Sequence, residues 1–251
     1  MTGPTSSIDT TWWLFIFGGL AVATTLLMIA VSIRRRDIAP IALCVGALIC
    51  AINEPIYDLL GKFVYAENSL VAFVAFDRRI PLFLVVGYVP WVAGISFWVS
   101  ELMARGASRR TIHLISLASF ASVVVVETFG NITKAWIYYG EPPLKYLGVA
   151  PGMAGVPVVC GALIYLLGTM LKGKRRILIG VVPLFALPAV FASSCVFMYV
   201  SLYSSPSKPA QYLAGIASMV FIALIVGATS AVAVRWRAGE LAMKAPVDAS
   251  V

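Results

Sequence analysis

The stretch PIALCVGALICAINEPIYDLL, residues Pro40–Leu60, decides the class of fold. Crossing the hydrocarbon core of a bilayer takes about 20 mostly apolar residues, and this stretch has that length. It nevertheless closes on Asn53-Glu54-Pro55-Ile56-Tyr57-Asp58, with two carboxyls at its end. Even lenient insertion scales charge roughly 3 kcal/mol for an acid deep in a bilayer. Such acids are expected to face a protein interior or a wet cavity, which makes them candidate functional groups.

Working outward, six more runs share this character. The seven expected spans are Trp12–Ile33, Pro40–Leu60, Ile80–Ser100, Ile112–Gly130, Val156–Leu171, Ile177–Tyr199 and Tyr212–Val234. The chain of 251 residues is 61% apolar and 12% charged, against about 25% charged in a soluble domain. The expected fold is an all-α membrane protein, a seven-transmembrane-helix bundle forming one domain over residues 1–251. Met1–Thr10 holds no base, and the apolar run after it is too long for the core of a cleavable leader, so Trp12–Ile33 is expected to stay as a span.

The net charge of +8 sits beside the spans. Arg34–Arg36, Arg105, Arg109, Arg110, Lys172, Lys174, Arg175, Arg176, Arg235, Arg237 and Lys244 place thirteen bases on one side. Lys62, Arg78, Arg79, Lys134, Lys145 and Lys208 place six on the other. The positive-inside rule makes the first side cytoplasmic, with the N-terminus outside and the C-terminus inside. Basic residues are not interleaved with exposed aromatics, so no nucleic acid is expected as a partner. The expected partners are the lipid bilayer and a hydrophobic small molecule.

Glu54 and Asp58 are four residues apart and share a helix face. Two carboxyls that close in a dry setting do not both ionise, and such a pair can serve general acid–base chemistry. Pro55 removes one helical hydrogen bond, a break tolerated in a membrane where it lines a cavity. Span four carries Glu127, with Asn131 one turn on and the apolar Val123–Val126 before it. Under the assigned orientation Glu54 and Glu127 share the outward half of the membrane. The candidate catalytic residues are Glu54, Asp58 and Glu127. Asp58 is the closest of the three to the outer interface. The alternative is a polar knot that pins helices together.

Span three adds Tyr88, Pro90 and Trp91, able to donate a hydrogen bond or to stack on a cation. The candidate substrate-binding residues are Asn53, Tyr57, Tyr88, Trp91, Asn131, Trp136 and Tyr139. Glu101 and Arg105 read as a solvated pair at the cytoplasmic end, and His113 as an interfacial residue. The outer loops Gly61–Arg79 and Thr133–Gly155 are longer than a bundle requires. The first holds the apolar Leu70–Phe76; the second holds Trp136, Tyr138, Tyr139, Tyr146 and Pro142–Pro143. They are expected to fold over the bundle mouth as a lid or a short interfacial helix, or else to form an aromatic belt at the headgroups.

Several chemistries find no support in the pattern. Cys44, Cys50, Cys160 and Cys195 lie singly in apolar runs, without a C-x-x-C pair, and are expected to be small buried residues rather than metal ligands. The seventh span has no Lys for a retinal Schiff base. No G-x-G-x-x-G, Walker or H-E-x-x-H motif occurs. A mechanism without cofactor or metal is the economical expectation. The sequon Asn131-Ile132-Thr133 lies too near the membrane to be expected to carry a glycan.

Asn53-Glu54-Pro55-x-x-Asp58, then Glu127, then Trp136-x-Tyr138-Tyr139-Gly140-x-Pro142-Pro143 resembles the spirocyclase AveC-like membrane proteins of actinobacteria. The resemblance runs from span two to the loop after span four. It implies spiroketal formation or dehydration on polyketide intermediates, with Glu54, Asp58 and Glu127 as the acids. The architecture is also similar to the small membrane meroterpenoid cyclases of fungi. Either likeness implies a lipophilic polyketide or terpenoid that is protonated by a buried acid and closes a ring on itself. Two other classes stay open: a proton-coupled transporter using the same acids as a relay, and an assembly or sensory protein without chemistry. A transporter is expected to show internal repeats or paired broken spans. The sequence has no visible repeat, and one broken span is expected near the acids.

Overall fold

The computed structural model describes residues 2–142, 144, 146–204 and 207–244. Pro143 and Lys145 lie outside the described residues, as do the side chains of Tyr146 and Lys244. Seven helices are long and apolar enough to cross a membrane: Thr11–Arg35, Ala39–Gly61, Leu82–Ala104, Arg109–Ile132, Gly152–Met170, Gly173–Ser194 and Lys208–Gly239. The chain is an all-α, multi-pass membrane protein built as a seven-helix bundle.

Helix α1 (Thr11–Arg35) starts where the Asp9 carboxylate accepts from the Thr11 N–H at 2.9 Å and ends with Arg36 in a left-handed cap. Arg34 and Arg35 in its last turn complement the helix dipole. Span two is three pieces: α2 (Ala39–Cys50), a 3₁₀ turn over Ala51–Asn53, and α3 (Glu54–Gly61). Pro55 has no N–H to give the Ala51 carbonyl, which instead accepts from Glu54 and tightens the turn. Span three has the same kind of break: α4 (Leu82–Tyr88), a π-helical turn over Val89–Ile95, and α5 (Ser96–Ala104). Pro90 cannot serve Val86, whose carbonyl takes the Val89 N–H. A second irregular span thus lies beside the acids, where the sequence led us to expect one.

Span four is α6 (Arg109–Ile132), capped by the Ser108 hydroxyl accepting from Thr111 N–H at 3.2 Å. Helix α7 (Tyr146–Met170) starts earlier than Val156. It forms the bundle centre, packing on α5, α6 and the sixth and seventh membrane-crossing helices, with Val156, Val158 and Cys160 fully buried. The expected sixth run, 177–199, is not one helix. It begins as a 3₁₀ segment, Gly173–Val181, continues as α8 (Val182–Ser194), breaks at Cys195 and resumes as α9 (Val196–Ser204). Ser193 and Ser194 each bond back to a carbonyl four residues earlier, at 2.7 and 2.6 Å, which competes with the helical ladder at the break. Helix α10 (Lys208–Lys244) outruns the expected 212–234, because Ala238, Glu240, Leu241, Ala242 and Met243 beyond Val234 are good helix formers. The α2 crossing of the 3₁₀ segment is tight: Gly46 lies directly on the Gly180 backbone, with no space for a Cβ. All four cysteines are buried and unbridged.

The outer loops form strands rather than an interfacial helix. Strand β1 (Phe63–Tyr65) leaves span two and pairs antiparallel with β4 (Trp136–Tyr138), which leaves span four. The register sets Phe63 opposite Tyr138 and Tyr65 opposite Trp136. Between them, β2 (Val71–Ala75) and β3 (Arg78–Pro81) form a hairpin. Its two turn residues, Phe76 and Asp77, both have positive φ, the geometry that matches hairpin twist. The N-terminal segment straps these loops down: Ser7 N–H donates to Thr133 O at 2.8 Å and Glu67 N–H to Pro4 O at 2.9 Å. The opposite end of the bundle is basic and held by ion pairs: Arg35 with Glu101 at 2.6 Å and Arg176 with Asp37 at 2.8 Å.

Candidate active site

Glu54 is the first residue of α3 and is buried. Its Oε1 accepts from the Tyr65 hydroxyl on β1 at 2.6 Å, and its Oε2 accepts a short hydrogen bond from the Tyr88 hydroxyl on α4. The break at Pro55 puts this carboxyl at a helix start, away from the α2 stripe that packs on the rest of the bundle. Two phenols take up both its oxygens.

Glu127 on α6 is likewise buried. Trp136 Nε1–H and the Tyr138 hydroxyl both donate to its Oε2, at 2.9 and 2.8 Å. No side chain among the described residues donates to Oε1. The two carboxyls are therefore served by one device. In a strand, side chains alternate between faces, so Phe63 and Tyr65 share a face of the β1–β4 ribbon with Trp136 and Tyr138. These four rings touch, with centroids 5.4 Å apart for Phe63–Tyr65, 5.3 Å for Phe63–Tyr138 and 6.2 Å for Tyr65–Trp136. They make an aromatic roof that reaches down to both acids. Gly130 is required beneath it, since a Cβ there would overlap the Trp136 ring. Burial, then the Glu54 and Asp58 charges, push the Tyr65 phenol well above its usual range; burial and Glu127 do the same to Tyr138. Both phenols stay protonated and act as donors.

Below the roof is a cavity of about 830 Å³ into which both Glu54 and Glu127 project. That size suits a small-molecule site, for which roughly 300–1,000 Å³ is usual. Tyr57, Tyr88, Trp91 and Trp136 line it, and so do Phe191 of α8 and Tyr199 of α9. No family model, curated protein or solved structure matches this chain.

The structure brings Glu54, Glu127, Tyr57, Tyr88, Trp91 and Trp136 together, and leaves four of the expected residues out. Asp58 is 1% exposed and off the cavity, with neither carboxylate oxygen hydrogen-bonded. It is buried within electrostatic reach of Glu54 and, more weakly, of Arg78 on β3, rather than exposed at the outer interface. Asn53 turns away, donating to Cys50 O at 3.1 Å. Asn131 donates to the backbone of Glu127 at 2.9 Å and does not reach the cavity. Tyr139 falls on the opposite face of the ribbon from Tyr138, where its hydroxyl accepts from Arg78 at 2.9 Å. Glu101 is bonded chiefly to Arg35 rather than Arg105, and His113 bonds Ser230 on α10 at 3.1 Å, far from the acids. Tyr65, Tyr138 and Trp13 were not among the expected site residues. Trp13 of α1 packs on Trp136 and Phe129 at 5.2 and 5.4 Å between centroids and closes the roof sideways.

Proposed function

We propose that this chain is a cell-membrane acid–base cyclase, of isomerase or lyase type, that closes rings on a hydrophobic natural-product intermediate without metal or cofactor. The observation that carries the reading is the pair of buried carboxyls, each held by neutral aromatic donors, over one apolar cavity. Glu127, whose Oε1 takes no side-chain donor among the described residues, is the proton donor to a ketone, epoxide or hydroxyl oxygen. The substrate's own hydroxyl or alkene then attacks the activated carbon; for a spiroketal this first closure gives a hemiketal, whose hydroxyl is protonated by Glu127 in a second round and leaves as water before the second hydroxyl closes the other ring. The proton released at ring closure passes to the Tyr88 oxygen as Tyr88 gives its own proton to Glu54. Net transfer is one proton from Glu127 to substrate and one from substrate to Glu54, and exchange between the two acids restores the start. Trp91 and Trp136 offer π faces to the cationic intermediate. The dry walls keep water from intercepting it.

The test is incubation of the protein in nanodiscs with a lipophilic linear dihydroxyketone and, separately, an epoxidised isoprenoid alcohol. A spiroketal is lighter than its precursor by one water, whereas a terpenoid-type cyclisation gives an isomer. Product from the parent protein and none from Glu127→Gln supports the reading; equal product from both sinks it. A second reading, a proton-coupled transporter, draws on the paired breaks at Pro55 and Pro90. It requires substrate-driven proton flux in proteoliposomes with no new product.

A further inference from the structure

The cavity does not stop at the acids. Along span three, Tyr88, Trp91, Ile95, Trp98, Leu102 and Arg105 recur at spacings of three and four and all line it, so it is a cleft along one helix face. From Tyr88 to Arg105 this is about 26 Å at a helical rise of 1.5 Å per residue. That nearly matches the roughly 30 Å hydrocarbon core. The other walls are α1 and α6. These two helices do not pack along their lengths: they meet under the roof through Trp13 and Phe129, and α6 leans instead on α7 and α10. The cleft is open sideways there, with Leu27 62% and Trp98 52% exposed. The roof and the N-terminal strap close the outer mouth, so the way in is from the bilayer.

The far end of the cleft carries charge. Arg35 gives two hydrogen bonds to Glu101, at 2.6 and 2.8 Å, and neutralises it. Arg105 stands 3.8 Å from the same carboxylate, beyond hydrogen-bond reach, and is largely exposed at the cleft mouth. One positive charge is left over there. Near the acids, Glu54 and Glu127 line the other end of the cavity, and no side chain among the described residues donates to Glu127 Oε1, so an oxygen function on a ligand would be met there.

We infer that the substrate is a single-chain amphiphile whose anionic head sits at Arg105, whose apolar chain fills the cleft between α1 and α6, and whose oxygen-bearing far end lies at Glu54 and Glu127. This rests on the cyclase reading and names its substrate class. It also gives the chain a direction: the head is held at the basic surface while the remote end reacts.

The test is probe binding in nanodiscs, followed by native mass spectrometry. Geranylgeranyl phosphate and geranylgeranic acid supply two kinds of anionic head, geranylgeraniol is the neutral counterpart, and geranyl phosphate is the short control. Both anionic long probes are expected to bind at least about tenfold more tightly than the alcohol, a gap of roughly 1.4 kcal/mol. Arg105→Gln should reduce that gap to about twofold, whereas Arg110→Gln, outside the cleft, should leave it. Val123→Trp, which fills the cleft from α6 one turn short of Glu127, should erase the advantage of geranylgeranyl over geranyl phosphate. Equal binding of acid and alcohol, or a preference that survives Arg105→Gln, would overturn the inference. So would a co-purified diacyl phospholipid that no probe displaces. Glu127→Gln separates the two readings. Absent head-group preference with Glu127-dependent turnover of a neutral substrate removes this inference alone. Intact probe binding with no proton chemistry at Glu127 removes the cyclase reading.

Discussion

The two ends of the bundle treat the same side chain in opposite ways. At the basic end, Glu101 and Asp37 are gripped by guanidinium groups, Arg35 on one and Arg176 on the other. At the roofed end, Glu54 and Glu127 are gripped by phenols and an indole, and no Lys or Arg among the described residues bonds either. A carboxylate paired with arginine is locked in its charged form, because protonation would leave a cation uncompensated. A carboxyl held by neutral donors can gain or lose a proton without breaking an ion pair. The first arrangement joins helices, and the second can carry protons. Which acid does which is decided by the charge of its donors, not by its depth alone.

The largest expected effect separates the ends directly. Glu127→Gln and Glu54→Gln should each lower product formation by about a hundredfold or more, the usual scale for a general acid or base. The amide keeps shape and hydrogen bonding but cannot exchange the proton. Asp37→Asn, at the ion-paired end, should leave turnover as it is. Rates with the true substrate in nanodiscs, beside thermal melts to establish folding, check all three. Normal turnover by Glu127→Gln or Glu54→Gln would break the comparison.

The donors come next. Tyr65→Phe and Tyr138→Phe each delete one hydrogen bond to a charged-state carboxyl, worth about 1.5–3 kcal/mol. The expected loss in rate is of the order of tenfold or somewhat more for each, with the cavity unchanged in shape. A loss in either variant equal to that of the Glu→Gln change would show that the phenol, not the carboxyl, is the group the reaction depends on.

These two tyrosines also mark where sequence reasoning stopped. The seven spans are legible because an apolar run long enough to cross lipid has little other use. Glu54 and Glu127 are legible because a carboxyl in such a run is expensive. Tyr65 and Tyr138 gain their role only when β1 pairs with β4, a contact between distant parts of the chain. One signal was present: each acidic span is followed by aromatics at a spacing of two, Phe63-x-Tyr65 and Trp136-x-Tyr138, the period of a strand. The misplacements have the same origin. Asp58 and Asn131 do lie one turn from Glu54 and Glu127, but Asp58 is buried off the cavity and Asn131 spends its amide on the Glu127 backbone. Tyr139 follows Tyr138 on a strand and so must point the other way. The break in span six needed the back-bonding of Ser193 and Ser194, which a hydropathy run does not show.

A smaller effect concerns the ion-paired end and its pH dependence. Burial alone would raise the Asp37 carboxyl, but the hydrogen bond and charge of Arg176, with the Ala39 N–H, outweigh it and hold it below the usual range. A carboxyl depressed by folding stabilises the protein above its unfolded pKa, and that stability is lost as pH falls through the folded value. The parent protein should therefore lose stability below about pH 4, while Asp37→Asn should be less stable at neutral pH by about 1 kcal/mol and flatter in acid. Asn can still accept from Ala39, so the cap is kept and the difference isolates the ion pair. Thermal melts in detergent across that pH range decide it. Parallel curves for the two proteins would mean that Arg176 does not hold Asp37 charged.

The smallest expected change is at Asp58, and it tests where the site ends. By sequence Asp58 is the natural partner of Glu54, one helical turn away on the same face. In the fold it is 1% exposed and off the cavity, between the charges of Glu54 and Arg78. If the roof bounds the chemistry, Asp58→Asn should keep turnover within about threefold of the parent, far from the hundredfold expected of a general acid or base. The informative contrast is with Glu54→Gln, measured in the same nanodiscs. A loss at Asp58 approaching that of Glu54 would place a third acid in the proton path. The boundary between carrying protons and joining structure would then run outside β1 and β4, at Arg78.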